Sequence, residues 1–240
     1  MAKNPQPSRI LAVDIGGSYV KATVLDKSGK LLTEYEKTAT PASPSPQKLL
    51  SIIKDMAGKL EAFDCISMGF PGYVKDGVVK TAPNLGTEQW QDTPFCKMVE
   101  DALGKPAQLI NDADMQGLGV VQGKGLELVI TLGTGLGSAL LQDGILLPHL
   151  ELAHHPITKN KDYDQYIGDV ALEEKGPEMW NKRMIKVLQV LKTVFNYDTL
   201  YIGGGNAKLL TMQLDNNIKL VNNKEGIKGG ARLWFPLDAK

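Results

Sequence analysis

The chain predicts an α/β fold made of two similar halves, on three observations. A strand, a glycine turn and a second strand occur twice, around Asp14-Ile15-Gly16-Gly17-Ser18 and around Thr131-Leu132-Gly133-Thr134-Gly135-Leu136-Gly137-Ser138. Each turn interrupts apolar runs, residues 10–13 and 20–25 at the first, 128–130 and 138–141 at the second. Elsewhere the apolar residues recur at helical spacing, as at Leu49, Leu50, Ile53, Met56, Ala57 and Leu60. The boundaries expected are a smaller N-terminal α/β lobe over residues 1–110, joined by the C-terminal segment 226–240, and a larger C-terminal α/β lobe over residues 111–225.

Taken in order, the first half opens on three strands at 9–13, 20–26 and 30–36, with Lys27-Ser28-Gly29 as the second turn. A proline-rich connector, 41–46, leads to a helix over 47–62. A buried strand at 66–70 ends at Pro71-Gly72, and a hairpin follows around Asp76-Gly77. A helix over 95–103 feeds a strand at 107–110. Asn111-Asp112 are helix-capping types ahead of a segment reaching about 121. Strands then flank the second glycine turn. A long, mostly helical stretch covers 173–195, with Pro177 suited to an early helical position. A strand at 200–202 ends in Gly203-Gly204-Gly205-Asn206, and a glycine-broken segment, 226–234, follows.

Bulk properties exclude several classes. With 27 Lys and Arg against 27 Asp and Glu among 240 residues, no global field attracts nucleic acid or an anionic membrane. No apolar stretch approaches the ~20 residues that span a bilayer, and residues 1–8 lack the apolar core of a secretory signal. Cys65 and Cys96 cannot build a disulfide framework or a cysteine zinc site. A cytoplasmic setting is expected.

Two glycine turns closing from two sides place backbone N–H groups around a phosphate, and Ser18, Thr131, Thr134 and Ser138 add hydroxyl donors. The plainer alternative is a pair of hairpins whose glycines supply only positive φ. Lys21 touches either an anionic ligand or solvent, and the same holds for Lys159, Lys161, Lys182, Arg183 and Lys186. All three histidines, His149, His154 and His155, lie near Glu151, but their spacing matches no standard zinc pattern.

Asp14-Ile15-Gly16-Gly17-Ser18, Gly69-Phe70-Pro71-Gly72, Ala82-Pro83-Asn84-Leu85, Asn111-Asp112-Ala113-Asp114, Leu132-Gly133-Thr134-Gly135-Leu136-Gly137-Ser138, Glu151-Leu152-Ala153-His154 and Gly203-Gly204-Gly205 resemble, in order and spacing, the ROK sugar kinases. Within that family the chain looks most like the polyphosphate/ATP glucokinases. The resemblance covers roughly residues 10–233 and implies the actin-like ATPase (ribonuclease H-like) fold, duplicated, with a cleft between two lobes. It further implies transfer of a phosphoryl group from polyphosphate or ATP to the 6-hydroxyl of glucose or a related hexose, with Asp112 as catalytic base.

By the same resemblance Asp14 is the first-turn acid that reaches Mg²⁺ through water. Gly16, Gly17, Ser18 and Lys21 meet the donor from one side. Thr131, Gly133, Thr134, Gly135, Gly137, Gly204 and Gly205 meet it from the other. Asn84, Asn111, Asp112, Glu151 and His154 bind the sugar, against an apolar wall from residues 70–72, and a homodimer is expected. Two departures stand out. Glu-Leu-Gly-His of the family is Glu151-Leu152-Ala153-His154 here; if that glycine has positive φ, alanine costs about 1 kcal/mol of backbone strain or shifts the loop. No cysteine lies between residues 156 and 175, so no structural zinc is expected. The repressors of the family carry a winged helix ahead of the first turn, where only residues 1–8 precede the first strand here. The alternative carried forward is a catalytically weak or inactive ROK-type sugar-binding or regulatory protein.

Overall fold

The computed structural model describes residues 8–222 and 226–237. The polar start at residues 1–7 and the end of the C-terminal segment lie outside them. The chain divides into two compact units, Met1–Gly119 with Gly226–Pro236 and Val120–Glu225 with Leu237–Lys240.

The first unit is built on a mixed five-stranded sheet. Strands β1 (Arg9–Ile15), β2 (Tyr19–Asp26) and β3 (Glu36–Ala39) form an antiparallel meander. Helix α1 (Pro46–Ala57) returns the chain to β4 (Cys65–Phe70), parallel to β1. Ser45 caps α1 by accepting the Lys48 N–H, and Gly58 ends it four residues before the expected stop. A small hairpin, β5 (Val74–Lys75) and β6 (Val78–Val79), turns through Asp76 and Gly77, both at positive φ. Helices α2 (Thr87–Trp90) and α3 (Phe95–Leu103) then lead to β7 (Ala107–Asn111), parallel to β4, and helix α4 (Asp112–Val120) starts on the next residue. The sheet order is β3-β2-β1-β4-β7.

The strand expected at 30–36 forms later, as β3. Leu31 still bridges Leu25 and the Leu32 N–H donates to Val24 O at 2.8 Å, but residues 33–35 leave the ladder because Thr33 takes over its role. The Thr33 hydroxyl accepts the Val24 N–H at 3.0 Å and meets the Thr23 hydroxyl at 3.1 Å. Alternation did not expose this, since a threonine side chain satisfies a strand's backbone as well as a carbonyl does.

The two faces of this sheet bury different cores. Val13, Ile15, Val20 and Ala22 pack with α1 and α3. Ile10, Ala12, Leu25 and Cys65 pack with Met115 of α4 and with Ile227 and Ala231. That second core is why α4 groups with the first unit, where the sequence drew the division at Asn111. The C-terminal helix Gly229–Arg232 lies so close to α4 that a side chain on Gly229 would overlap the Met115 carbonyl. Cys65 is fully buried, and burial pushes its thiol up to about 12.

The second unit repeats the pattern. Strands β8 (Leu126–Leu132), β9 (Leu136–Gln142) and β10 (Ile145–Leu146) form an antiparallel meander. A 3₁₀ turn (Leu152–His154), a hairpin of β11 (Pro156–Thr158) and β12 (Lys161–Asp162), and helices α5 (Tyr163–Ile167) and α6 (Asp169–Phe195) follow. Strands β13 (Thr199–Gly203) and β14 (Ile218–Leu220) complete the sheet in parallel, in the order β10-β9-β8-β13-β14. Both sheets are therefore a three-strand meander extended by two parallel strands on the side of its first strand. In α6 the chain breaks at Gly176 (φ 74°, ψ 163°), and Pro177 opens the longer segment, the position its missing N–H suits. Trp180, Met184, Val187, Leu188 and Leu191 of that segment cover the sheet.

Candidate active site

In the first unit the site grows from the end of β1. Ile10, Leu11, Ala12 and Val13 are fully buried, and Asp14 is the first polar residue as the strand emerges. It faces Lys21 across the β1–β2 ladder, with Nζ 3.2 Å from Oδ2. The Gly16 N–H donates to Tyr19 O at 2.9 Å and closes the turn. Thr40, just past β3, ties the turn down: its hydroxyl donates to Gly16 O at 2.7 Å and its N–H to Ser18 O at 3.0 Å.

Neither Gly16 nor Gly17 has a positive φ, so conformational freedom is not why glycine stands here. At Gly16 a Cβ would come 3.0 Å from Tyr19 O, tighter than most real side-chain contacts, so the turn's backbone would have to give. Gly17 and Ser18 are exposed, and Asn84 approaches Gly17 to 3.8 Å from where its Cβ would stand. Asn84 is exposed on a turn pinned by buried Ala82 and Leu85, with the Leu85 N–H donating to Ala82 O at 3.0 Å.

Asp112 sits at the junction of β7 and α4. Asn111 is buried and its carboxamide is committed: Nδ2 donates to Gly72 O at 3.1 Å, and Oδ1 accepts the N–H of Ala113 at 2.8 Å and of Asp114 at 3.3 Å. Asp112 Oδ1 also accepts the Ala113 N–H at 2.8 Å. Asn111 thus clamps the first turn of α4 and leaves Asp112 half-exposed at its N-terminus, where the helix dipole favours a carboxylate. A Cβ on Gly69 would stand 3.2 Å from Asp112 Cα, so Gly69 lets α4 settle onto β4. Phe70 is not the wall expected beside the sugar. It is fully buried, its ring 4.9 Å from that of Trp90 and 6.4 Å from that of Phe95, because a strand enclosed on both faces sends both alternating sets of side chains inward.

The second unit gathers the other residues around the β8–β9 turn. Thr134 is exposed, and Thr131, Gly133, Gly135 and Gly137 are half-buried. The Gly133 N–H donates to Gly135 O at 3.1 Å. Again none of these glycines has a positive φ. Ser138 is spent differently from expectation: it is buried, and its hydroxyl donates to Leu150 O at 3.0 Å. Gly204 does need glycine, with φ +90° and with Leu132 backbone atoms where its side chain would go. The Asn206 N–H donates to Leu132 O at 3.0 Å, and its Nδ2 to Asp169 Oδ1 at 2.6 Å. The Gly203–Gly205 turn is thereby docked on the second glycine turn, with Gly205 exposed.

Glu151 and His154 bracket the 3₁₀ turn beside this loop, the His154 N–H donating to Glu151 O at 3.2 Å. The His149 Nε2 lies 3.4 Å from Glu151 Oε1. His149 beside it holds the Glu151 carboxyl below the usual glutamate range, against the opposing effect of burial. Asp164 was not anticipated. Its Oδ1 accepts the Leu136 N–H at 2.7 Å, and its carboxylate fills the space a Gly135 side chain would need. Burial pushes its carboxyl up, the Leu136 N–H and His154 pull it down, and Asp162 and Glu151 push it up further. The readable signal was the Asp162–Gln165 capping box, which starts α5 and aims Asp164 at the turn. Of the surface cations, Arg183 and Lys186 lie over the Tyr166 ring, at 4.8 and 5.6 Å, and Lys182 pairs with Glu178 at 2.9 Å. Among the described residues no three His, Cys, Asp or Glu side chains converge to hold a metal, and no helix is long and apolar enough to cross a membrane.

Two mixed sheets of one topology, each with a glycine turn at its first hairpin, define the actin-like ATPase two-lobe fold of the sugar kinases. A family model described as ROK family matches residues 10–153, and the chain belongs to the ROK family. The polyphosphate glucokinase of Mycobacterium tuberculosis is 29% identical over 226 residues, which is 88% of this chain and 82% of that protein. The inorganic polyphosphate/ATP-glucomannokinase of Arthrobacter sp. strain KM superposes with a TM-score of 0.85 at 29% identity, covering 95% of this chain and 98% of that one. A ROK family glucokinase from Streptomyces griseus, solved with glucose and AMPPNP, shares the fold with a TM-score of 0.75 at 20% identity, over 94% and 98% of the two chains.

Proposed function

We propose that the chain is a sugar kinase that transfers a phosphoryl group from inorganic polyphosphate or ATP to the 6-hydroxyl of glucose or a related hexose. The observation that carries this is the setting of Asp112, a half-exposed carboxylate at the N-terminus of α4, with Asn111 clamping that turn from beneath. The relatives' activities and the AMPPNP and glucose bound by the Streptomyces enzyme support the same reading.

In this reading Asp112 takes the proton of the 6-hydroxyl as it attacks the terminal phosphorus. Asn84, Glu151 and His154 fix the sugar hydroxyls, and Glu151 does so as an anion because His149 keeps its carboxyl ionised. Asn111 has one Nδ2 hydrogen left beyond the Gly72 bond, so its main work is to position Asp112. Gly17 and Ser18 offer backbone and hydroxyl donors to the donor phosphates, as do Thr131, Thr134, Gly135 and Gly137 in the second unit, while Gly16 and Gly133, whose own N–H groups close the two turns, let the phosphates approach the backbone closely, and the exposed Gly205 beside Gly204 would meet a nucleoside.

Asp14 would hold Mg²⁺ through water. A single half-exposed carboxylate suits this ion, which keeps several waters and takes one or two carboxylates plus substrate phosphate oxygens. Held there, Mg²⁺ would supply neutralisation of charge on the donor phosphates. A cytoplasmic homodimer is part of the proposal, supported by the family resemblance.

The test is formation of glucose 6-phosphate by the purified protein with Mg²⁺ and either ATP or long-chain polyphosphate. Product from either donor, formed far more slowly by Asp112→Asn, supports the proposal. Absence of product with every hexose and donor overturns it and leaves the sugar-binding alternative.

A further inference from the structure

One row of residues crosses the first sheet at the level of Asp14. Gly69 pairs with Asp14, Asp14 with Lys21, and Lys21 with Lys37, on strands β4, β1, β2 and β3 in turn. Paired residues point to one face of a sheet, so all four lie on one side, neighbouring strands being about 4.8 Å apart. That side is the α4 side, since Asp112 Cα sits over Gly69. The row therefore starts under the proposed base, passes the acid proposed beside the transferred group, and ends on Lys21 of β2 and Lys37 of the edge strand β3.

Two lysines directly opposite one another repel, and the structure keeps both. Lys21 is balanced by Asp14 at 3.2 Å. Lys37 is exposed and lies over the Tyr19 ring, Nζ 3.6 Å from the centroid, and Tyr19 is itself 44% exposed beside Ser18. The neighbouring Glu36 points to the other face and pairs with Lys59 at 3.7 Å. An aromatic ring thus holds a second cation outward from the first glycine turn, in line with the acid that faces the phosphoryl group.

We propose that this row marks the path of a linear phosphate donor, and that Lys37, steadied on Tyr19, is a subsite for a distal phosphate of inorganic polyphosphate. The proposal rests on the kinase reading above and adds the donor's direction. The path runs from Asp112 through Asp14 to Lys21 and then Lys37. A polyanion with a charge on every unit continues to gain along such a row, whereas a nucleoside triphosphate runs out of phosphates.

The experiment compares wild type, Lys37→Met and Lys37→Arg, measuring KM for long-chain polyphosphate and for ATP, and binding of polyphosphate alone across a salt series. An exposed edge-strand lysine is replaced without risk to the core. Lys37→Met is expected to raise KM for polyphosphate about threefold to fivefold more than KM for ATP, the scale of one exposed ion pair. It also weakens polyphosphate binding and flattens its salt dependence, and Lys37→Arg restores both. Equal effects on the two donors, no effect, or a wild type that does not bind polyphosphate overturns the subsite. Product from neither donor, with Lys37-dependent polyphosphate binding intact, upholds the subsite and overturns the kinase reading instead.

Discussion

The carboxylate of Asp164 occupies the place where a side chain on Gly135 would stand, and it accepts the N–H of the next residue, Leu136, at 2.7 Å. The second glycine turn is therefore shaped from outside its own sequence, by an acid 28 residues further on. A loop proposed to offer N–H groups to phosphate needs one N–H tied back to fix the rest, and a half-buried acceptor does this at the cost of partly desolvating a charge.

That cost sets a pH dependence. Burial raises the folded-state pKa of Asp164 above its unfolded value, so its favourable contribution is fully present below the ordinary aspartate range and is lost as pH rises through the raised value. At neutral pH the ionised group is thus a net burden on the fold. Asp164→Asn keeps an oxygen for the Leu136 N–H and removes the charge. It is expected to be more resistant to urea than wild type at pH 7, with the difference shrinking towards pH 4. Asp164→Ala orphans the Leu136 N–H at a cost of about 1 kcal/mol, which shows in full towards pH 4 and is partly offset at pH 7 by removal of the charge. Equal urea midpoints for the Asn variant and wild type at pH 7 would contradict this.

Asp112 is expected to separate chemistry from folding. Asp112→Asn retains an oxygen for the Ala113 N–H, so its melting temperature stays within a degree or two of wild type, while kcat falls about 10²- to 10⁴-fold. Glucose affinity, measured calorimetrically, changes far less than kcat. Asp112→Ala loses the same activity and, in addition, about 1 kcal/mol of stability with its capping contact.

What was legible in the sequence follows the physics of each feature. The two glycine turns, β1, β4 and β7 are carried by local apolar runs, and the residues proposed for chemistry lie at strand or helix ends that such runs delimit. The reasons behind the later turns were not local. Gly16 answers to Tyr19 O within its own turn, but Gly135 answers to Asp164 and Gly204 to Leu132, partners fixed by tertiary pairing. Phe70 read as a wall because a strand end next to Pro71-Gly72 looks exposed in one dimension, while α2 and α3 bury it in three. Thr33 and Thr40 left no periodic trace, because a single hydroxyl bond to a backbone group does not recur.

Ala153 replaces the glycine that the family motif leads one to expect, and the strain expected of it does not arise. It lies within the 3₁₀ turn Leu152–His154, has no positive φ, and its methyl is buried in the core with Leu136 and Tyr163. Ala153→Gly is expected to destabilise the protein by about 0.5–1 kcal/mol, from backbone entropy and lost packing, without tightening glucose binding. A lower glucose KM in Ala153→Gly would instead show that the methyl group displaces Glu151 or His154.

Gly204 and Gly205 are adjacent and make opposite predictions. At Gly204 the φ of +90° and the Leu132 backbone leave no room for a Cβ, so Gly204→Ala must break the Asn206–Leu132 bond or shift β8. Either response disturbs the second glycine turn, and a loss of about 2–4 kcal/mol in urea unfolding is expected, with weakened activity from every donor. At Gly205 nothing lies within 4 Å of the place a Cβ would take and the φ is not positive, so Gly205→Ala leaves the unfolding midpoint unchanged. If the nucleoside contact proposed for Gly205 holds, its methyl crowds the nucleoside, so KM for ATP rises while KM for polyphosphate, which has no nucleoside, stays put. A Gly205→Ala enzyme equally impaired with both donors would place the Gly203–Gly205 turn against the phosphates rather than the nucleoside.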